Sequence, residues 1–280
     1  MPPTRIPTPA DFTSIYSSHP AYHPSSSASS SSSSPPISLV FPSPAESTTS
    51  ILLLFHGLGD SEAPFASFAR NLSLPGVLSI SVRGVSPLPA LVAGDGEGQG
   101  YHWGDDLGFT AGGEIDPDPG FGKARTWVME KLVGEVLVQK CGWEMGDIML
   151  FGFGQGGTLA LGLASMLRMG AKVEEVGSGT EGRGLGDRKR FKGVVSVGGG
   201  LPASMVPSMS GLGKAKTPVL VCCGRESEAV DEDAVDVLER EFEEVKVVRW
   251  KRSDDGMPRN REEVLPMMQF FAERLRNGWL

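Results

Sequence analysis

The chain has 280 residues, 40% of them apolar and 21% charged, with a formal net charge of −8 at pH 7. This length and apolar content suffice for one sizeable core. The net negative charge argues against nucleic-acid binding, which requires a clustered basic surface, because the basic residues are scattered or mixed with acids. Three cysteines, Cys141, Cys222 and Cys223, cannot build a disulfide framework, and no run of about 18 apolar residues predicts a membrane span. We therefore expect a cytoplasmic protein with one globular domain.

The first 36 residues are rich in Pro, Ser and Thr and contain a serine tract between Ser25 and Ser34. Such a composition has too little apolar surface to offset the entropy of ordering. We predict a disordered tail over residues 1–36 and a folded domain over residues 37–280. Docking of the stretch from Ile6 to Tyr16 is left open.

Beyond the tail, apolar bursts alternate with amphipathic stretches, an order typical of βαβ units and a mainly parallel sheet. The segment from Glu174 to Lys192 is glycine-rich and charged without periodicity, so we interpret it as a surface insertion outside the core. The pattern predicts strands over 37–41, 51–55, 77–83, 148–151, 194–197, 219–222 and 245–250, and helices over 63–71, 122–140, 158–169, 233–242 and 263–276.

The most informative local pattern is the glycine-rich turn from Gly152 to Gly157, which lies between a predicted buried strand and a predicted buried helix. The G-x-S-x-G turn of α/β-hydrolases presents a nucleophilic serine at this place, with glycines where the helix and strand leave no room for side chains. Here Gly154 stands at the central position. The turn is retained and the hydroxyl is missing.

Three segments carry a family resemblance. They are the first loop, His56-Gly57-Leu58-Gly59-Asp60, the segment Trp103-Gly104-Asp105, and the turn at Gly154. In this order they are similar to H-G-L-G-D, W-F-D and G-F-S-Q-G-G of the acyl-protein thioesterases and related carboxylesterases. The resemblance runs from about Ile51 to Leu275. It implies an α/β-hydrolase fold, with a mainly parallel sheet and helices on both faces.

The resemblance also implies the parts of a pocket. Its loops would include His56, Gly57, Gly59, Asp60 and Trp103, with His56 as a structural part of the first loop. The backbone N–H groups of Leu58 and Gln155 would form an oxyanion hole. Both donors are main-chain groups, so the glycine at position 154 does not remove them.

The same resemblance places the catalytic triad on residues that cannot perform its chemistry. The nucleophile position is Gly154, the acid position is Ser227, and the base position is Met257 or Pro258. Glu226 and Glu228 flank Ser227 as possible substitutes for the acid. The sequence therefore predicts a pseudo-hydrolase that binds an acyl or carboxylate ligand or a protein partner.

Three alternatives stay open. The first is an active ester or thioester hydrolase that uses water or a thiol of Cys222 or Cys223. The second is a dinucleotide site, because Gly152, Gly154 and Gly157 also match G-x-G-x-x-G, with Glu174 or Glu175 as its acidic residue. The third is an interaction scaffold that recruits partners through the tail and the 174–192 insertion.

We predict no metal and no cofactor. The carboxylates of Asp60, Asp105 and Asp106 lie in glycine-rich loops without a histidine or cysteine at ligand spacing. Carboxylates in such loops typically cap helices or face solvent.

Overall fold

The computed structural model describes residues 3–22, 34–89, 99–110, 112–168, 190–207 and 213–276. Its main sheet has seven strands in the order β1-β3-β2-β6-β7-β8-β9, and all pairs are parallel except β1 with β3. The strands are β1 (Ile37–Val40), β2 (Ser50–Phe55), β3 (Val77–Val82), β6 (Ile148–Phe153), β7 (Gly193–Val197), β8 (Val219–Cys223) and β9 (Val245–Arg249), and a small ladder joins β4 (Ser86–Pro87) to β5 (Tyr101–His102).

Helices cover both faces of the sheet, as predicted. They are α1 (Pro9–Tyr16), α2 (Glu62–Leu72), α3 (Gly122–Thr126), which continues as a π-helix over Trp127–Lys140, α4 (Gln155–Ser165), α5 (Glu232–Glu241) and α6 (Arg261–Arg276). Successive side chains of a strand point to opposite faces of the sheet, so the core has two parts. Leu53 of β2 packs with α1, α4 and the π-helix on one face, whereas Leu54 packs with α2 and α6 on the other. No helix in the described part of the chain is long and apolar enough to cross a membrane.

The prediction of a disordered tail is wrong for residues 3–22. Helix α1 lies on the π-helix, and its side chains Phe12 and Ile15 are fully buried in the core. Arg5 holds Asp11 through two hydrogen bonds of 2.7 Å, and the indole of Trp143 donates to the Arg5 carbonyl at 2.9 Å. The segment is thus part of the domain, while residues 23–33 lie outside the described residues.

Two other predicted segments, a helix and the surface insertion, differ from the structure at their ends. Helix α4 begins at Gln155, three residues earlier than predicted, because it starts immediately after the turn at Gly154. The predicted insertion lies mostly outside the described residues, but its end contributes to the core: Phe191 is fully buried, and Lys192 donates to Ser50 at 2.7 Å.

Candidate active site

The turn at Gly154 keeps the strained conformation of a nucleophile elbow. Gly154 follows β6 directly and is the N-cap of α4, with a φ of 51° and a ψ of −121°. L-residues rarely adopt a positive φ. Apart from Gly154 itself and its two neighbours in the chain, no described residue has a heavy atom within 4 Å of the position that a Cβ on Gly154 would take. Packing therefore does not exclude a side chain at this position.

The neighbouring glycines are required by close packing of the backbone. A Cβ on Gly152 would collide with the carbonyl group of Gly156, and a Cβ on Gly156 would collide with the carbonyl groups of Phe55 and His56. Helix α4 therefore starts in backbone contact with the ends of β2 and β6. This contact accounts for Gly152 of the G-x-G-x-x-G pattern without a nucleotide, and the positive φ accounts for Gly154. Glu174 and Glu175 lie outside the described residues.

Trp103 ties the first loop to the elbow. Its indole Nε1 donates to the His56 carbonyl at 2.8 Å, and its backbone N–H donates to Oε1 of Gln155 at 2.8 Å. The N–H of Gly59 donates to the Tyr101 carbonyl at 2.9 Å, which connects the same loop to β5. The three motifs of the sequence thus meet at the carboxyl edge of the sheet.

His56 has no free ring nitrogen. Its Nε2 accepts a hydrogen bond from the N–H of Gly84 at 2.8 Å, so Nδ1 carries the proton and donates to the Gly57 carbonyl at 2.7 Å. The ring is fully buried, and burial lowers its pKa. These contacts give His56 a structural role in the first loop.

A carboxylate from another loop lies at the position implied for the triad acid. Ser227 Oγ donates to Oδ2 of Asp255 at 2.7 Å, and the N–H of Gly224 donates to its Oδ1 at 2.7 Å. A Cβ on Gly198, just after β7, would lie 2.7 Å from the Cβ of Asp255. Asp255 follows β9, so the charge that Ser227 lacks is supplied from the neighbouring strand. Glu226 and Glu228 are exposed.

The implied base position contains no group that titrates. Met257 and Pro258 are half-buried, and Met257 packs against the cluster under α6. Arg252 Nη2 donates to the Met257 carbonyl at 3.1 Å, and the Arg252 guanidinium stacks on the Trp250 ring at 4.4 Å. The loop is held in place, but neither residue can accept a proton.

The thiols of the sequence are poor substitute nucleophiles. Cys222 and Cys223 are both fully buried on opposite faces of β8, and Cys141 is fully buried at the end of the π-helix. Burial raises the pKa of all three, that of Cys222 to about 12. Since the thiolate is the reactive form, these cysteines are suited to packing.

The remaining polar candidates also have structural partners. Asp105 accepts hydrogen bonds from the N–H groups of Gly122 and Lys123, at 2.8 and 2.7 Å, and so caps α3. Asp60 accepts from the N–H of Ser61 at 2.7 Å. In the described ranges, no group of three or more His, Cys, Asp or Glu side chains could hold a metal ion.

Comparison with known proteins decides the family. Residues 38–175 match the phospholipase/carboxylesterase model, and residues 144–264 match the serine hydrolase (FSH1) model. A protein of Schizosaccharomyces pombe described as an uncharacterized hydrolase is 30% identical over 228 residues, which cover 81% of this chain and 83% of that protein. This chain belongs to the phospholipase/carboxylesterase family. A second uncharacterized hydrolase, from Mycosarcoma maydis, is 34% identical over 43% of each chain.

Solved structures of similar proteins share the fold of the chain. Acyl-protein thioesterase 2 of Zea mays superposes with a TM-score of 0.58 at 17% identity, covering 85% of this chain and 98% of its own. The Bacillus cereus carboxylesterase superposes with a TM-score of 0.51 at 15% identity, covering 85% and 93%. The α/β-hydrolase fold expected from the motifs is therefore confirmed.

Within this phospholipase/carboxylesterase fold, the structure brings the implied triad positions to one edge of the sheet. Gly154 follows β6, Ser227 follows β8, and Met257 follows β9, all at strand carboxyl ends. Asp255 was not identified from the sequence as part of the site, although its place in the chain could have indicated it. An acidic residue in the loop after a predicted parallel strand belongs to the same edge as the elbow.

Proposed function

We propose that this member of the phospholipase/carboxylesterase family is a non-hydrolytic protein that keeps the pocket frame and binds an acyl group or a carboxylate. The observation that carries the proposal is Gly154, a retained elbow without a nucleophile. Loss of the serine or the histidine of a triad typically costs about 10⁶ in kcat. Hydrolysis by the mechanism of the family is then negligible.

The main-chain donors of the pocket support ligand binding. Gln155 is the first residue of α4, and the first N–H groups of a helix have no acceptor within the helix. Its side chain is held by Trp103, and Leu58 in the first loop is 37% exposed at the same edge. We assign their N–H groups to a carbonyl or carboxylate oxygen of the ligand, because backbone amides at a helix N-terminus favour negative charge.

The alternatives have less support. A thiol mechanism would need Cys222 or Cys223, whose burial and raised pKa oppose it. The scaffold alternative depends largely on residues 23–33 and 169–189, outside the described ranges, and stays a prediction. So does the cytoplasmic location.

The test is hydrolysis of a panel of acyl esters and acyl thioesters by the purified protein. Gly154→Leu fills the space above the elbow, and Gly154→Ala is its matched control because it carries the same backbone strain with little added volume. We expect background rates for all three proteins. Turnover by the wild type and the alanine variant that the leucine variant loses would overturn the proposal.

Binding is measured separately by titrating decanoate into ¹⁵N-labelled protein. The amide signals of Leu58 and Gln155 should shift in the wild type and stay unchanged in Gly154→Leu. If these two signals do not respond at millimolar decanoate, the pocket does not bind carboxylates.

A further inference from the structure

A cavity lies at the end of the sheet opposite the elbow. It has a volume of about 640 Å³, is partly open to solvent, and is bordered by the loop after β1, the connection from α2 to β3, and α6. Thr49 and Gly76 in its wall precede β2 and β3, whereas Gly154 follows the end of β6. Since β2, β3 and β6 run parallel, the cavity and the elbow lie at opposite edges.

The walls of this cavity are mainly aliphatic. Met268, Ala272 and Leu275 lie along one side of α6, at spacings of four and three residues, and face Pro44, Leu74 and Pro75 across the cavity. Ligand sites of small molecules typically measure about 300–1,000 Å³ and combine apolar walls with a few polar groups. The cavity has the size and composition of such a site.

The charge in the described wall of the cavity is negative. Glu46 is the only charged residue among the described residues that line it. Ser47 Oγ donates to the Pro44 carbonyl at 2.7 Å, which leaves its oxygen as an acceptor for a ligand hydroxyl. The guanidinium of Arg274 on α6 forms an ion pair with Glu244, with 2.7 Å between Nη2 and Oε1, and stacks on the Phe270 ring.

We propose that this cavity binds an uncharged single-chain amphiphile with a hydroxyl head group. Its aliphatic chain would lie against α6, and its head would lie at the loop that carries Glu46 and Ser47. A carboxylate head would meet the charge of Glu46 without a compensating cation from the described wall. This site is separate from the one proposed at the elbow.

The test compares 1-decanol with decanoate by isothermal titration calorimetry at about pH 8, where decanoate is ionised. Both are titrated into Gly154→Leu, so that binding at the elbow does not contribute. We expect one site for 1-decanol and at least about tenfold weaker binding of decanoate. Glu46→Lys should reverse or abolish that difference.

Two variants assign the signal to the cavity. Ala272→Phe fills it and Leu275→Gln makes its wall polar, and each should abolish decanol binding in a protein whose thermal unfolding stays cooperative. Ala63→Phe, at an exposed alanine of α2, is the matched control and should bind like the parent. Equal binding of the two ligands, or decanol binding unaffected by both cavity variants, would overturn the proposal. Either result leaves the elbow proposal standing, because that site is blocked in these experiments.

Discussion

Glu62→Ala is expected to lower the free energy of unfolding by about 3–5 kcal/mol, because it leaves a buried guanidinium without its counter-charge. Glu62 holds Arg83 through Oε1 at 2.5 Å and Oε2 at 2.9 Å, and the two side chains are 9% and 2% exposed. Arg83 also donates to the Ser34 carbonyl at 3.1 Å and lies over the Tyr101 ring. The next residue, Gly84, bonds the ring of His56, so the pair supports the first loop.

Urea denaturation of the wild type and Glu62→Ala measures this difference. The control is Glu135→Ala, which removes an exposed partner of Lys131 four residues away. Solvent screens exposed pairs of this kind, so Glu135→Ala should lose little stability. If the two variants lose similar stability, the Arg83–Glu62 pair does not hold the site in place.

His19 should make the protein less stable at mildly acidic pH. The ring is 2% exposed, its Nε2 donates to the Arg83 carbonyl at 3.1 Å, and its Nδ1 accepts from the N–H of Ala21 at 3.2 Å. It also packs edge-on against Trp127. Protonation of Nδ1 would remove the bond to Ala21 and place a charge beside the Arg83 guanidinium. Burial is the main cause that lowers the pKa of His19 from 6.5 to about 3.

The sign of the pH effect on stability follows from which state of the protein, folded or unfolded, binds the proton. Above the ordinary pKa of 6.5, His19 is neutral in the folded and unfolded states, and its contribution does not vary with pH. Below it, the unfolded state binds a proton that the folded state rejects until about pH 3. Each pH unit in this window costs about 1.4 kcal/mol, so about 2 kcal/mol is lost at about pH 5.

The measurement is the change in unfolding free energy between about pH 7.5 and about pH 5, compared with His19→Gln. Glutamine can keep a donor and an acceptor without titrating. His56 and His102 are buried in both proteins, so their effects cancel. We expect the pH-dependent loss to be about 2 kcal/mol smaller in the variant. An equal loss in both proteins would show that His19 is not buried in the neutral form.

The sequence predicted the strands and helices near the elbow well because their signals are local. The apolar run Ile148 to Phe151 and the close-packed glycines that follow it indicate a buried strand, a turn and a buried helix. Helix α1 was missed for the opposite reason. Eight residues in a Pro- and Ser-rich stretch have little intrinsic helicity, and burial of Phe12 and Ile15 against the π-helix stabilises them.

The site was only partly predictable, because its chemistry is assembled from distant loops. The loss at Gly154 is visible in a six-residue motif, whereas the pairing of Ser227 with Asp255 joins residues 28 positions apart. The hydrophobic periodicity of a sequence does not predict a contact between two such distant residues. The cavity beside α6 was likewise not predictable, since three separate segments border it.

Reconstitution of the triad shows whether the protein keeps the frame of a hydrolase without its nucleophile. The measurement is hydrolysis of p-nitrophenyl butyrate by the wild type and by Gly154→Ser/Met257→His, which returns the serine and the imidazole to the implied positions. We predict that the wild type stays at background and that the double variant exceeds it by at least about 100-fold, the usual contribution of a general base. Turnover by the wild type would show that the protein hydrolyses esters without a serine, and a folded double variant that remains at background would show that the frame of a hydrolase is not retained.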